Sequence, residues 1–216
     1  MNLSKSEIIG LALVALSFVI AIYFYPLMPQ LMASHWDING AVNGYMSKFW
    51  GLFLMPMVTL IMWLLFLFVP RIDPKKANIA KFRKQFDEFV IVIFLFLLYV
   101  YALTLAWNLN YIFDFTRFII APFAILFYAI GNLVAKAEPN WFIGIRTPWT
   151  LSNEVAWRKT HQLGGKLYKI SALISLLGLF LPGIAIWLVI IPIILVSLYL
   201  VIYSYIIFKQ EKQNVL

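Results

Sequence analysis

The chain has 216 residues, 63% of them hydrophobic and 12% charged, with a mean hydropathy of +0.90. A soluble domain carries about 25% charged residues and cannot hide this much apolar surface, so the composition excludes a soluble class and marks a membrane protein. Cysteine is absent, which excludes disulfides, thiolate metal sites, iron–sulfur clusters and cysteine nucleophiles. The net charge of +8 is read as the basic bias of cytoplasmic loops and not as a nucleic-acid surface.

A spanning helix needs about 20 apolar residues. In chain order, charge-free runs of that kind extend over 8–28, 49–69, 89–107 and 118–135. No charge then appears between Lys169 and Lys209, a stretch of 39 residues broken once by Pro182-Gly183. That pair is a turn signal and predicts a tight hairpin joining two more helices. The first run is too long for a signal peptide and ends in Tyr23-Phe24-Tyr25-Pro26 without a small-residue cleavage site, so it is expected to be a retained span. The fold class is therefore all-α, a polytopic membrane protein with six transmembrane helices. Of the 17 Lys and Arg, only Lys48 and Arg117 fall in loops on one side of this topology. The positive-inside rule then puts both termini in the cytoplasm. The expected localisation is the cell membrane, multi-pass. Two segments are expected, 1–70 with two helices and 71–216 with four.

No Asp, Glu, Lys, Arg or His falls in the middle of a predicted span. This argues against proton relays and voltage sensing. Thr59, Asn132, Ser171, Ser175 and Ser197 are candidates for bonds between helices. Pro56, Pro122 and Pro192 each remove a backbone donor in the outer half of a span. The carbonyls they free must meet a side chain, a neighbouring helix or water. A shallow cavity lined by the three kinks is one expectation, and ordinary packing is the other.

The first outer loop carries His35, Trp36, Asp37, Asn39-Gly40 and Asn43-Gly44. Both Asn-Gly pairs tolerate positive φ and together predict a small hairpin. His35 with Asp37 supplies too few ligands for zinc, and no HExxH motif occurs. No metal or cofactor is expected.

The fourth loop is long for a compact bundle. Thr150 or Ser152 is expected to cap a helix start, with Glu154 in its first turn, and Gly164-Gly165 to end it. The result would be an interfacial helix of about three turns before helix five, lying flat among headgroups. Thr150, Ser152 and His161 lack the buried acid of a catalytic triad, so no enzyme is expected.

The run Phe142-Ile143-Gly144-Ile145-Arg146-Thr147-Pro148-Trp149-Thr150-Leu151, followed by Glu154, Trp157 and Arg158, resembles the GxRTPWTL signature of the SdpI family of bacterial immunity proteins. The segment from Pro26 through Pro56 resembles the uncharacterised domain that often heads them. The resemblance implies a protein that protects a cell against a secreted antimicrobial peptide. In some members it also implies holding a cytoplasmic repressor at the membrane. Topology then offers His35, Trp36, Asp37, Asn39, Gly40 and Gly44 for peptide contact outside. It offers Gly144, Arg146, Thr147, Pro148, Trp149, Thr150, Glu154, Trp157 and Arg158 as an inner partner surface or a structural motif. Membrane lipids are the other expected partner, and direct nucleic-acid contact is not expected. The rival reading is a small transporter or lipid-interacting protein sharing the fold.

Overall fold

The structure is a computed structural model and describes residues 3–213. Helix α1 (Lys5–Phe24) leads through a hairpin, β1 (Leu31–Trp36) and β2 (Val42–Ser47), into α2 (Lys48–Ile72). A short α3 (Lys76–Lys81) precedes α4 (Arg83–Asn108), and α5 (Phe115–Lys136) follows. A one-turn α6 (Pro148–Ser152), α7 (Glu154–Leu176) and α8 (Ala185–Gln213) complete the chain. Helix α1 packs on α2 and α4, α4 on α5, α5 on α7, and α7 on α8.

Among the described residues, five helices are long and apolar enough to cross a membrane: α1, α2, α4, α5 and α8. Their outward faces are apolar, with Val19, Ile61, Ile125 and Leu195 exposed. Such continuous apolar exposure fits contact with lipid and not with water. The sequence predicts a sixth span from α7. This helix is long enough, but Arg158, Lys159, Lys166 and Lys169 make it polar from its start through Lys169.

The expected interfacial helix is corrected. Helix α7 runs without a break through Gly164 and Gly165. These glycines do not end a helix; they let two helices touch. A methyl added at Gly165 would lie 2.4 Å from Ala135 Cβ, and one at Gly131 would lie 2.9 Å from the Gly165 carbonyl. Small residues allow such backbone approach between membrane helices.

Caps also differ from expectation. Thr147, not Thr150 or Ser152, caps α6, in a capping box with Thr150, and Pro148 takes the first helical position. Asn153 caps α7 by accepting from the Ala156 N–H at 2.8 Å.

The three prolines are resolved in one way. Proline at position i leaves the carbonyl of i−4 without its helical donor. The Tyr101 hydroxyl donates to the Leu52 carbonyl below Pro56 at 2.9 Å. Tyr99 donates to Phe118 below Pro122 at 3.2 Å. The Ser175 hydroxyl shares its proton between the Ser171 carbonyl of its own helix, at 2.8 Å, and the Leu188 carbonyl below Pro192, at 3.4 Å. A side chain from the adjacent helix thus covers each freed carbonyl, as lipid surroundings require. The cleft between α3, α5 and α7 and the small recess between α1, α2 and α4 are not lined by any of these prolines.

At the end that carries most of the basic residues, Glu7 is buried and receives Arg71 at 2.7 Å and Arg83 at 3.0 Å. The Trp63 indole donates to the Glu7 carbonyl at 2.9 Å. One carboxylate thereby ties α1 to α2 and α4, the kind of multiply bonded buried charge that is costly to break.

Candidate functional site

Two loop regions hold the residues singled out in the sequence, at opposite ends of the bundle. The hairpin is the smaller. Its turn forms as Asn39-Gly40 predicts: Asp37 Oδ1 accepts from Asn39 N–H at 2.8 Å and Ala41 N–H at 2.9 Å, and Gly40 takes φ +78°. Asn43-Gly44 is not a second turn. It lies in β2, where Gly44 pairs with His35 and a Cβ would sit 2.9 Å from His35 Cβ. Trp36 stacks on Phe115 at 4.1 Å and meets Trp107 edge-on. Asn108 bonds both backbone groups of Ala33, at 2.8 and 3.0 Å. The hairpin is thus held on the α4–α5 end by aromatic stacking and by a side chain that mimics a strand neighbour. His35, bonded to Asn43 through Nδ1, remains exposed with Asn39 and Tyr45.

The second region, 137–161, is closed on itself. Asn140 is buried and makes four bonds. Its Nδ2 donates to the Glu138 and Ile143 carbonyls, and its Oδ1 accepts from the Phe142 and Ile143 N–H groups. That satisfies an amide with two donors and two acceptor sites. Gly144 then takes φ +116°, and a Cβ there would lie 2.4 Å from His161 Nε2. Both features demand glycine. The close approach lets the Ile145 N–H donate to His161 Nε2 at 2.9 Å. His161 Nδ1 bonds the Trp157 carbonyl at 2.8 Å, so its partners assign the proton to Nδ1. Burial lowers the His161 pKa from 6.5 to about 4, and the ring is neutral at pH 7. It stacks on Trp157 at 4.0 Å, whose indole N–H donates to the Ala137 carbonyl at 2.7 Å.

Thr147 Oγ1 and Ser204 Oγ lie 2.9 Å apart, joining the motif to α8, and Thr150 Oγ1 donates to the Ile145 carbonyl at 2.8 Å. Trp149 packs on Tyr205. Arg146 is exposed and donates to the Trp141 carbonyl. Glu154 and Arg158 are exposed on α7. The predicted inner set therefore splits. Gly144, Thr147, Pro148, Thr150 and Trp157 build the loop. Arg146, Glu154 and Arg158 face outward, with Trp149 half-buried.

Three residues that shape this region are not evident from the sequence. Asn140 is one. Asp73 is buried and accepts from the Trp141 N–H at 2.9 Å, and Asn78 donates to the Pro139 carbonyl at 2.8 Å. They pin the α2–α4 connection to the motif. A polar residue beside a helix end is the only sequence signal they give.

Residues 136–204 match the SdpI/YfhL protein family, and residues 12–60 match DUF1648, a domain of unknown function. The chain is 29% identical to the immunity protein SdpI of Bacillus subtilis (strain 168) over 195 residues, 90% of this chain and 91% of the relative. No solved structure matches the chain.

Proposed function

From the premise that residues 136–204 are an SdpI-family segment headed by a DUF1648 segment, we propose that this multi-pass membrane protein is a non-enzymatic immunity protein against a secreted antimicrobial peptide. One observation carries the reading: similarity to a protein named for immunity runs through nine-tenths of both chains and takes in hairpin and motif loop together.

In this reading the charge-free part of α7 beyond Lys169, continued by the turn at Leu177–Leu179, makes a sixth crossing, and both termini are cytoplasmic. The hairpin then faces outward and offers His35 and Asn39 to the peptide, while Trp36, Asp37, Gly40 and Gly44 hold its shape. The exposed Arg146, with the half-buried Trp149 close by in the same loop, meets a cytoplasmic partner such as a repressor. Segments 1–70 and 71–216 act as one bundle, because Glu7 binds Arg71 and Arg83 across the division.

The test is survival of a sensitive bacterial host challenged with a secreted peptide toxin of this system, with membrane expression matched. The chain is expected to protect. His35→Ala is expected to lose protection and Arg146→Ala to keep it. No protection by well-expressed wild-type chain would reject immunity. Protection that survives His35→Ala and an Asn39→Ala/Tyr45→Ala double variant would remove the hairpin from the peptide site.

A further inference from the structure

We propose that the cleft between α3, the end of α5 and the start of α7 binds the zwitterionic headgroup of a membrane phospholipid, one carrying a phosphate and a primary ammonium. The cleft holds about 460 Å³, inside the range of roughly 300–1,000 Å³ usual for small-molecule sites.

Three cations line it, Lys81, Lys136 and Arg158, with two carboxylates, Glu138 and Glu154. Groups of opposite charge brought to one cleft would ordinarily pair with each other. These do not: among the described residues, none of the five lies within 4 Å of an opposite charge. Similar charges at the same end of the bundle do pair, Arg83 with Glu7 and Asp87, and Lys159 with Glu211. The lining is therefore charged, of both signs, and uncommitted.

The inner wall differs. Trp157 and His161 form it, and all three of their ring nitrogens are already bonded within the protein. A ligand meets free charge on one side and no free ring donor or acceptor on the other. A compact group with both charges close together fits this pattern. Phosphate accepts from Lys and Arg by charge-assisted bonds, and a primary ammonium has three donors for carboxylates.

Depth identifies the source. Lys136 is the last residue of α5, and Lys81 stands two residues before α4, both membrane-crossing helices. Ends of spans lie at headgroup level, where basic recesses between helices meet lipid phosphates. The carboxylates set the selectivity. A choline headgroup has no N–H to donate. A glycerol headgroup brings only negative charge against Glu138 and Glu154.

The full chain, purified in neutral detergent, is equilibrated with equal amounts of phosphatidylethanolamine, phosphatidylcholine and phosphatidylglycerol of identical acyl chains. Retained lipid is read by native mass spectrometry. Phosphatidylethanolamine is expected to exceed each of the others about tenfold, the worth of one charged hydrogen bond. Glu138→Gln/Glu154→Gln should abolish its advantage over phosphatidylglycerol while lipid is still retained. Lys136→Gln/Arg158→Gln should lower retention of all three. All four side chains are exposed, and unchanged thermal unfolding of the variants excludes a folding defect. Soluble glycerophosphoethanolamine should displace the lipid. Equal retention of the three lipids, a preference for phosphatidylglycerol, a preference the variants leave intact, or lipid that the soluble headgroup cannot displace would each overturn the proposal.

Discussion

The motif loop at 137–161 and the hairpin at 31–47 are built to opposite plans. In the motif loop the polar groups are spent on the loop itself: Asn140 makes four bonds, both nitrogens of His161 are engaged, and Thr147 and Thr150 cap each other. In the hairpin a few residues hold the shape, and His35, Asn39 and Tyr45 stand in the open. In the most recognisable stretch of the sequence the buried polar groups are therefore bonded within the loop itself. How distinctive a motif is and how accessible it is are separate properties, and only the second bears on contact with a partner.

This contrast breaks most sharply at Gly144. Gly144→Ala strains a left-handed backbone and drives a methyl into His161. We expect a loss of about 3 kcal/mol or more, seen as a large fall in thermal unfolding temperature in detergent. The matched change in the hairpin, Asn39→Ala, should cost less than about 0.5 kcal/mol. Equal effects would erase the distinction.

Acid probes the same loop without a mutation. Unfolded, the His161 ring takes a proton near pH 6.5; folded, it resists until about 4. Between those values the unfolded state binds the extra proton, so stability falls as pH drops from 6.5 to 4 and is level above that window. The full loss is up to about 3 kcal/mol. In His161→Gln this part of the pH dependence should vanish.

A smaller effect is expected away from both loops. Tyr101→Phe leaves the Leu52 carbonyl bare and should cost about 1–2 kcal/mol. In a Pro56→Ala background the helix regains its own donor, and the same change should cost much less. Equal cost in both backgrounds would show that the hydroxyl serves something other than the proline.

Much of the bundle was legible from the sequence. Apolar runs located the five helices apolar enough to cross a membrane, Pro182-Gly183 the break before α8, and Asn39-Gly40 the hairpin turn. Gly164-Gly165 misled because glycine serves two physical ends. As punctuation it frees the backbone, but here it thins a helix so that another can approach. The clue lay one helix earlier, in Gly131 and Ala135 at a spacing of four. The cap at Thr147 was readable from Pro148, since proline favours the first position after a cap. Asp73, Asn78 and Asn140 could not be read, because their partners are main-chain groups that only the folded chain brings near.

The hydroxyl clips over the proline carbonyls also bear on the order of synthesis. The chain emerges from its N-terminus, so α5 and α8 enter the membrane after α4 and α7, which carry the tyrosine and serine they need. Helix α2 is the exception. Its donor, Tyr101, lies nearly fifty residues downstream on α4. Until α4 arrives, the Leu52 carbonyl has no partner in the finished bundle, a state that costs several kcal/mol in lipid. The first half of the protein thus becomes a settled membrane structure only when its third crossing helix is in place.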